Sequence, residues 1–118
     1  MYKNLLSIAK MKLKDGEGLG KIIYGTYHYY LQPPGGLRKG ILIATTKRIL
    51  FVGDYFGVTV VEKYYYENIR SITSHKNLFG VHSIVFFHNG SQEMITDIEI
   101  GKAEDFVTYV KEKLLRFV

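Results

Sequence analysis

"ILIATTKRILFVGD", residues 41–54, is the stretch on which the reading of the fold turns. Two apolar runs, 41–44 and 49–52, are each long enough for a strand, and Thr45-Thr46-Lys47-Arg48 splits them. Four polar residues, two of them cationic, have no place inside a single core segment. They are either a basic ligand-binding motif or the tip of a hairpin that must stay in water. Taking Thr46-Lys47 as the central pair of a two-residue turn sets Ala44 opposite Ile49, Ile43 opposite Leu50 and Leu42 opposite Phe51. Apolar residues then meet apolar partners, and every polar residue falls at the tip. A hairpin needs such a break whatever the protein binds. Lys47 and Arg48 are therefore candidate hairpin-tip basic residues, held in solvent.

Outward from this hairpin the chain continues in the same style. From Lys21 onward aromatic and β-branched residues dominate, with turn residues recurring about every eight to twelve positions, the spacing of an all-β sandwich or barrel. Residues 21–31 read as the first strand, closed by Gln32-Pro33-Pro34-Gly35-Gly36, which no strand crosses. Residues 39–45 and 48–53 are the arms of the hairpin, 58–66 a fourth strand and 68–76 a fifth. In residues 81–100, Asn89-Gly90 is the favoured pair for a type I′ turn and fixes a register. His88 then faces Ser91, Phe86 faces Glu93, Ile84 faces Ile95 and His82 faces Asp97. The opposite set, Phe87–Gln92, Val85–Met94, Ser83–Thr96 and Val81–Ile98, is the more apolar and is expected to face the core.

After Gly101 the period changes to three and four. Ala103, Phe106, Val107, Val110, Leu114 and Phe117 form one helical stripe, with Glu104 and Asp105 at its start and Lys111, Lys113 and Arg116 towards its end. Gly101 is the expected N-cap, with Glu104 at the capping-box position. A shorter helix, 2–13, is expected ahead of the strands, with Tyr2, Leu5, Leu6, Ala9 and Leu13 on one side. The expectation is one domain over residues 1–118, comprising a helical extension (1–20), seven strands (21–100) and a closing helix (102–117).

Seven strands closed by a C-terminal helix is the element order of the pleckstrin homology (PH) fold. "GILIATTKRILFVGDYFG", "YENI", "FFHNGSQEMITDI" and "AEDFVTYVKEKL" resemble the bacterial PH-domain family of the YokE-like type, and the hairpin with Thr-x-x-Arg is similar to that of GRAM domains. Thr46 stands where that family more often has Asn, a residue that enters left-handed turn geometry more easily. The resemblance covers about residues 37–116. It implies a mainly β, partly open barrel of seven antiparallel strands in two near-orthogonal sheets, capped by the C-terminal amphipathic helix. It also implies a binding or scaffolding module rather than an enzyme.

Composition narrows the rest. With no cysteine among its 118 residues the chain has no disulfide or thiolate metal site. The lysine-interrupted N-terminus is unlike a secretory signal, which sets the expectation of a cytoplasmic or membrane-peripheral location. The net charge of +5 is lopsided: residues 1–50 hold nine Lys/Arg against two Asp/Glu, and residues 51–118 hold seven against nine. Such a basic half suits an anionic partner. In PH domains that bind phosphoinositides, basic residues flank the loop between the first two strands. Here the candidate anion- or lipid-binding residues are Lys21, Arg38 and Lys39, but the alternating basic pattern on strand two is missing. Lys3, Lys10, Lys12 and Lys14 beside a Leu/Ile stripe suit either an interfacial helix or a helix packed on the barrel. Ten tyrosines are the oddest count. Strand one presents Tyr24, His28 and Tyr30 on one face and Tyr27, Tyr29 and Leu31 on the other, so neither face is plainly wet. Tyr24, Tyr27, Tyr29 and Tyr30 are candidate interface residues for a protein partner or a second copy. The alternative cover is the N-terminal helix. His82 and His88 are too far apart on one strand to share a metal, and no dinucleotide fingerprint, phosphate loop or nucleophile elbow is present. No cofactor and no small-molecule substrate are expected, and nucleic acid is disfavoured because an OB-type barrel would have five strands. The leading function is protein–protein contact, including homo-oligomerisation. The alternative is attachment to anionic lipid head groups through the basic N-terminal half.

Overall fold

The central hairpin forms in the register its apolar residues dictate. The computed structural model describes residues 2–29, 36–55 and 57–117, with backbone only for Tyr29 and Tyr55. Strands β2 (Gly36–Thr45) and β3 (Arg48–Tyr55) pair Ala44 with Ile49, Ile43 with Leu50 and Leu42 with Phe51, leaving Thr46-Lys47 as the turn. The other elements are α1 (Tyr2–Met11), β1 (Leu19–Tyr29), β4 (Val58–Tyr65), β5 (Ile69–Lys76), β6 (His82–His88), β7 (Ser91–Ile100) and α2 (Ala103–Leu114), with single 3-10 turns at Tyr66–Asn68 and Leu115–Phe117. All strand pairs are antiparallel, in the order β4-β3-β2-β1-β7-β6-β5.

One ladder thus runs through both expected layers. β1 belongs to both, pairing with β2 along its length and with β7 from Tyr24 to Tyr27. Register slips at Leu19/Lys21 and Tyr24/Thr26 give that strand the local bend a barrel corner needs. The ladder ends, β4 and β5, are not bonded to each other, so the barrel is partly open. Side chains close it instead: the Tyr64 ring on β4 meets Phe86 on β6 edge-on at 5.1 Å and His88 at 5.0 Å. α2 fills one end, burying Ala103, Phe106, Val107 and Val110 among Ile23, Leu42, Phe51, Ile84 and Ile95.

Several expectations change. The β6–β7 register is as expected from Ile84–Ile95 to His88–Ser91, but the core face is the other one. Ile84, Phe86 and Ile95 are fully buried, while Phe87 is exposed and Val85 and Met94 are half-buried. Counting apolar residues misjudged the faces because Glu93, on the core side, accepts a hydrogen bond there from the Tyr27 hydroxyl. The His82–Asp97 pairing does not form within the described ladder. Between Tyr24–Ile100 and Thr26–Thr96, β7 has two more residues than β1, and Asp97 turns to φ +50°, which ends the register. The N-cap of α2 is Lys102, without a side-chain cap; Gly101 instead takes φ +89°, and a Cβ there would sit 2.3 Å from the Ile22 carbonyl oxygen.

The tyrosine-rich face also finds its cover. α1 lies across β2 and β3, burying Leu5 and Ala9 against Ile41, Ile43 and Val52, with Tyr2, Leu6, Ile22 and Tyr24 around them. Strands two and three are apolar on both faces because each face has a layer to meet: the core on one side and α1 on the other.

Candidate functional site: a lysine corner built on a buried ion pair

The hairpin tip splits its two cations. Lys47 is exposed, whereas Arg48 is 1 % exposed. The expectation that Arg48 stays in solvent is corrected by Glu17, a buried carboxylate from the segment between α1 and β1. Arg48 Nε donates to Glu17 Oε2 at 3.0 Å and Nη2 to Glu17 Oε1 at 3.1 Å, a fork on both carboxylate oxygens. Nη2 also donates to the Lys12 carbonyl at 3.0 Å, and the guanidinium lies over the Tyr65 ring at 5.9 Å. Glu17 accepts further from the Lys14 backbone N–H at 2.9 Å and the Thr45 hydroxyl at 2.5 Å. The same Thr45 oxygen accepts the N–H groups of Lys47 and Arg48 at 3.1 and 3.0 Å, which shapes the turn. Burial works against the ionised Glu17, but Arg48 and these hydrogen bonds outweigh it and hold its carboxyl below the ordinary value.

This pair ties the segment 12–18 to the hairpin. Thr46 N–H donates to the Gly18 carbonyl and Gly18 N–H to Thr46 Oγ1, both at 3.0 Å. Lys47 Nζ donates to the Asp15 carbonyl at 3.2 Å, and Lys14 Nζ to the Tyr65 hydroxyl at 3.3 Å. Lys14, with Arg48 behind it, draws the half-buried Tyr65 phenol below its usual value. Lys10 and Lys12, both exposed, end α1 and begin the same segment. Among the described residues, four exposed lysines, 10, 12, 14 and 47, thereby share one corner with the exposed Asp15, while Arg48 and Glu17 cancel each other inside. Lys63 and Glu67 flank Tyr65 with opposite charges. Lys10, Lys12 and Lys14 stand out as a basic run in the sequence, but their junction with the hairpin tip has no local signal, because Glu17 and Arg48 are 31 positions apart.

The residues that the PH resemblance and the tyrosine count singled out do not come together. Lys21 pairs with Ala44, and Arg38 with Tyr27 six residues further along β1, a separation of about 20 Å at ~3.3 Å per residue. Lys21 shares a shallow depression with Asp105 and Glu112. Lys39 forms an ion pair with Glu99, which raises its pKa, and its ammonium lies 5.6 Å from the Tyr24 ring centre. Arg38 is half-buried, and its Nη1 donates to the Leu37 carbonyl at 2.9 Å. Residues 32–35 of the loop they were expected to flank lie outside the described residues. Among the candidate interface tyrosines, Tyr27 belongs to the core, stacked on Phe51 at 4.4 Å with its hydroxyl bonded to Tyr64 and Glu93. It has no surface to offer a partner. Tyr24 is half-buried beneath α1, edge-on to Tyr2 at 5.8 Å. Tyr29 ends β1 opposite Gly36, and Tyr30 lies outside the described residues.

A family profile described as "Bacterial PH domain" matches residues 13–112. Among solved structures the chain is similar to the C-terminal domain of an unknown protein from Leishmania infantum, with 16 % identity, a TM-score of 0.62, and 96 % of this chain and 93 % of that one covered. At that identity the likeness concerns the fold. No curated protein matches the chain.

Proposed function

The chain belongs to the bacterial PH domain family, a family of binding modules, and from that premise we propose that it is a non-enzymatic module that attaches to anionic membrane surfaces through Lys10, Lys12, Lys14 and Lys47. The observation that carries this reading is the concentration of four exposed lysines on a corner braced by the buried Arg48–Glu17 pair, outnumbering the exposed Asp15 among them and the Lys63/Glu67 pair of opposite charge beside Tyr65. Each well-placed cation is worth about 1 kcal/mol at an anionic leaflet. Four give reversible adhesion that fades as salt shortens the screening length to about 8 Å at physiological ionic strength. The one guanidinium at the corner is turned inward, so ammonium point charges remain, and these favour charge density over a particular head group. Among the described residues no helix is long and apolar enough to cross a membrane; attachment here is peripheral. Self-association through the tyrosine face has less support, because α1 occupies that face.

The test is co-sedimentation with anionic and neutral vesicles at low and high salt. Binding to anionic vesicles at low salt only, abolished in a Lys10→Glu, Lys12→Glu, Lys47→Glu variant that keeps its circular dichroism spectrum, is the expected result. Equal sedimentation of variant and parent overturns the reading.

A further inference from the structure

The turn between β5 and β6, Asn77-Leu78-Phe79-Gly80, is built without its two apolar side chains. Asn77 Oδ1 accepts the N–H groups of Phe79 and Val81 at 2.8 and 3.0 Å. Asn77 N–H donates to the Val81 carbonyl, and Gly80 N–H to the Asn77 carbonyl, both at 3.0 Å. Gly80 closes the turn at φ +78°. Leu78 is 100 % exposed and Phe79 90 %, the most exposed large apolar side chains among the described residues. A braced loop therefore holds an aliphatic and an aromatic side chain side by side in water, where neither contributes to the fold. Two adjacent apolar groups held rigidly in this way are available for contact with an apolar phase.

We propose that Leu78 and Phe79 form a wedge that enters the interfacial region of an anionic bilayer. This rests on the membrane-surface reading above for its choice of occupant. The pair protrudes at the apex of a turn, and a convex apolar tip needs a matching cavity in a protein partner, whereas the head-group and acyl boundary yields around it. The net charge of +5 draws the chain to such a surface. Charges close to the tip balance: Lys76 and Lys102 line the adjoining depression with Glu104 and Asp105. The local contact is thus apolar, and the attraction comes from the lysine corner. β5 separates the two, its eight residues running from the turn after Tyr65 to the tip, about 25 Å at ~3.3 Å per residue. The molecule extends 40 Å, so one edge is long enough for both contacts. Adhesion by charge plus an apolar anchor is the two-signal arrangement that makes peripheral attachment stable.

The sequence has no tryptophan, so Phe79→Trp in the full chain introduces a single indole. With phosphatidylserine-containing vesicles its emission is expected to shift to the blue and to be quenched by brominated acyl chains. Phe79→Ser is expected to weaken binding about tenfold or more while leaving low-salt adhesion in place. Quenching that persists after the corner lysines are reversed supports the wedge even if the corner reading fails. Sedimentation without any change in indole emission overturns the wedge and leaves the corner reading standing. A blue shift that depends on protein concentration without lipid overturns it as well, assigning the tip to a second copy of the chain. No binding to any vesicle overturns both.

Discussion

Arg48 shows how much one side chain decides. Among the described residues its guanidinium is the only charge paired with Glu17 inside the corner, and it also holds the Lys12 carbonyl. Removing one partner of a buried pair leaves the other charge uncompensated, at a cost of about 3–5 kcal/mol. Arg48→Ala is therefore expected to lower the urea midpoint sharply, and Glu17→Gln less, because the amide keeps one acceptor oxygen for the Lys14 N–H and Arg48 Nη2. The sign of the pH dependence follows from the shift. Glu17 titrates below its unfolded value of 4.5, so its contribution is complete above that pH and is lost as the pH falls through the folded value. Glu93 behaves oppositely. Burial raises its carboxyl above 4.5, with the Tyr27 hydroxyl opposing and the Glu62 charge adding to the rise. Its ionisation thus weakens the fold as the pH climbs past 4.5. Thermal melts of Glu93→Gln should exceed those of the parent at pH 7 and converge with them in acid; a constant offset at both would contradict the assignment.

At the scale of elements, α1 is a layer of the molecule rather than an appendage. Leu5 is 3 % and Ala9 0 % exposed against Ile41, Ile43 and Val52. Leu5→Ala is expected to cost about 2–5 kcal/mol. Ala9→Glu should lift the helix, bare the outer face of β2 and β3, and produce dye binding and self-association absent from the parent. If Ala9→Glu leaves stability and oligomeric state unchanged, the helix does not belong on that face. The need for a cover was legible in the sequence, since 41–44 and 49–52 are apolar at every position and cannot present a wet face. The turn at Thr46-Lys47 and the stripe of α2 were legible for the same reason: pattern and turn chemistry are local. What escaped was non-local. The burial of Arg48 depends on Glu17, and the core orientation of Glu93 depends on Tyr27, 66 positions away. A strand read in isolation shows a polar residue and assigns it to solvent. The end of the His82 register was hidden likewise, because it follows from Asp97 leaving extended geometry in a strand shared with β1.

The whole molecule separates its tasks by position. The barrel and α2 supply a core, α1 closes the outer sheet face, and the chain's excess of positive charge is gathered where α1, the following segment and the β2–β3 turn meet. Lys21 lies at the same end of the sheet, opposite Ala44, but shares its depression with Asp105 and Glu112, while Arg38 and Lys39 lie at the far end of β2, so residues 36–39 are expected to stay silent. The most direct measurement is backbone hydrogen exchange on the full chain with and without anionic vesicles at low salt. The account predicts added protection confined to residues 10–15 and 46–47, together with the turn at 77–80, all of it removed by high salt or by reversing the corner lysines. Protection centred instead on residues 36–39, or an exchange pattern that anionic vesicles leave untouched, would contradict it.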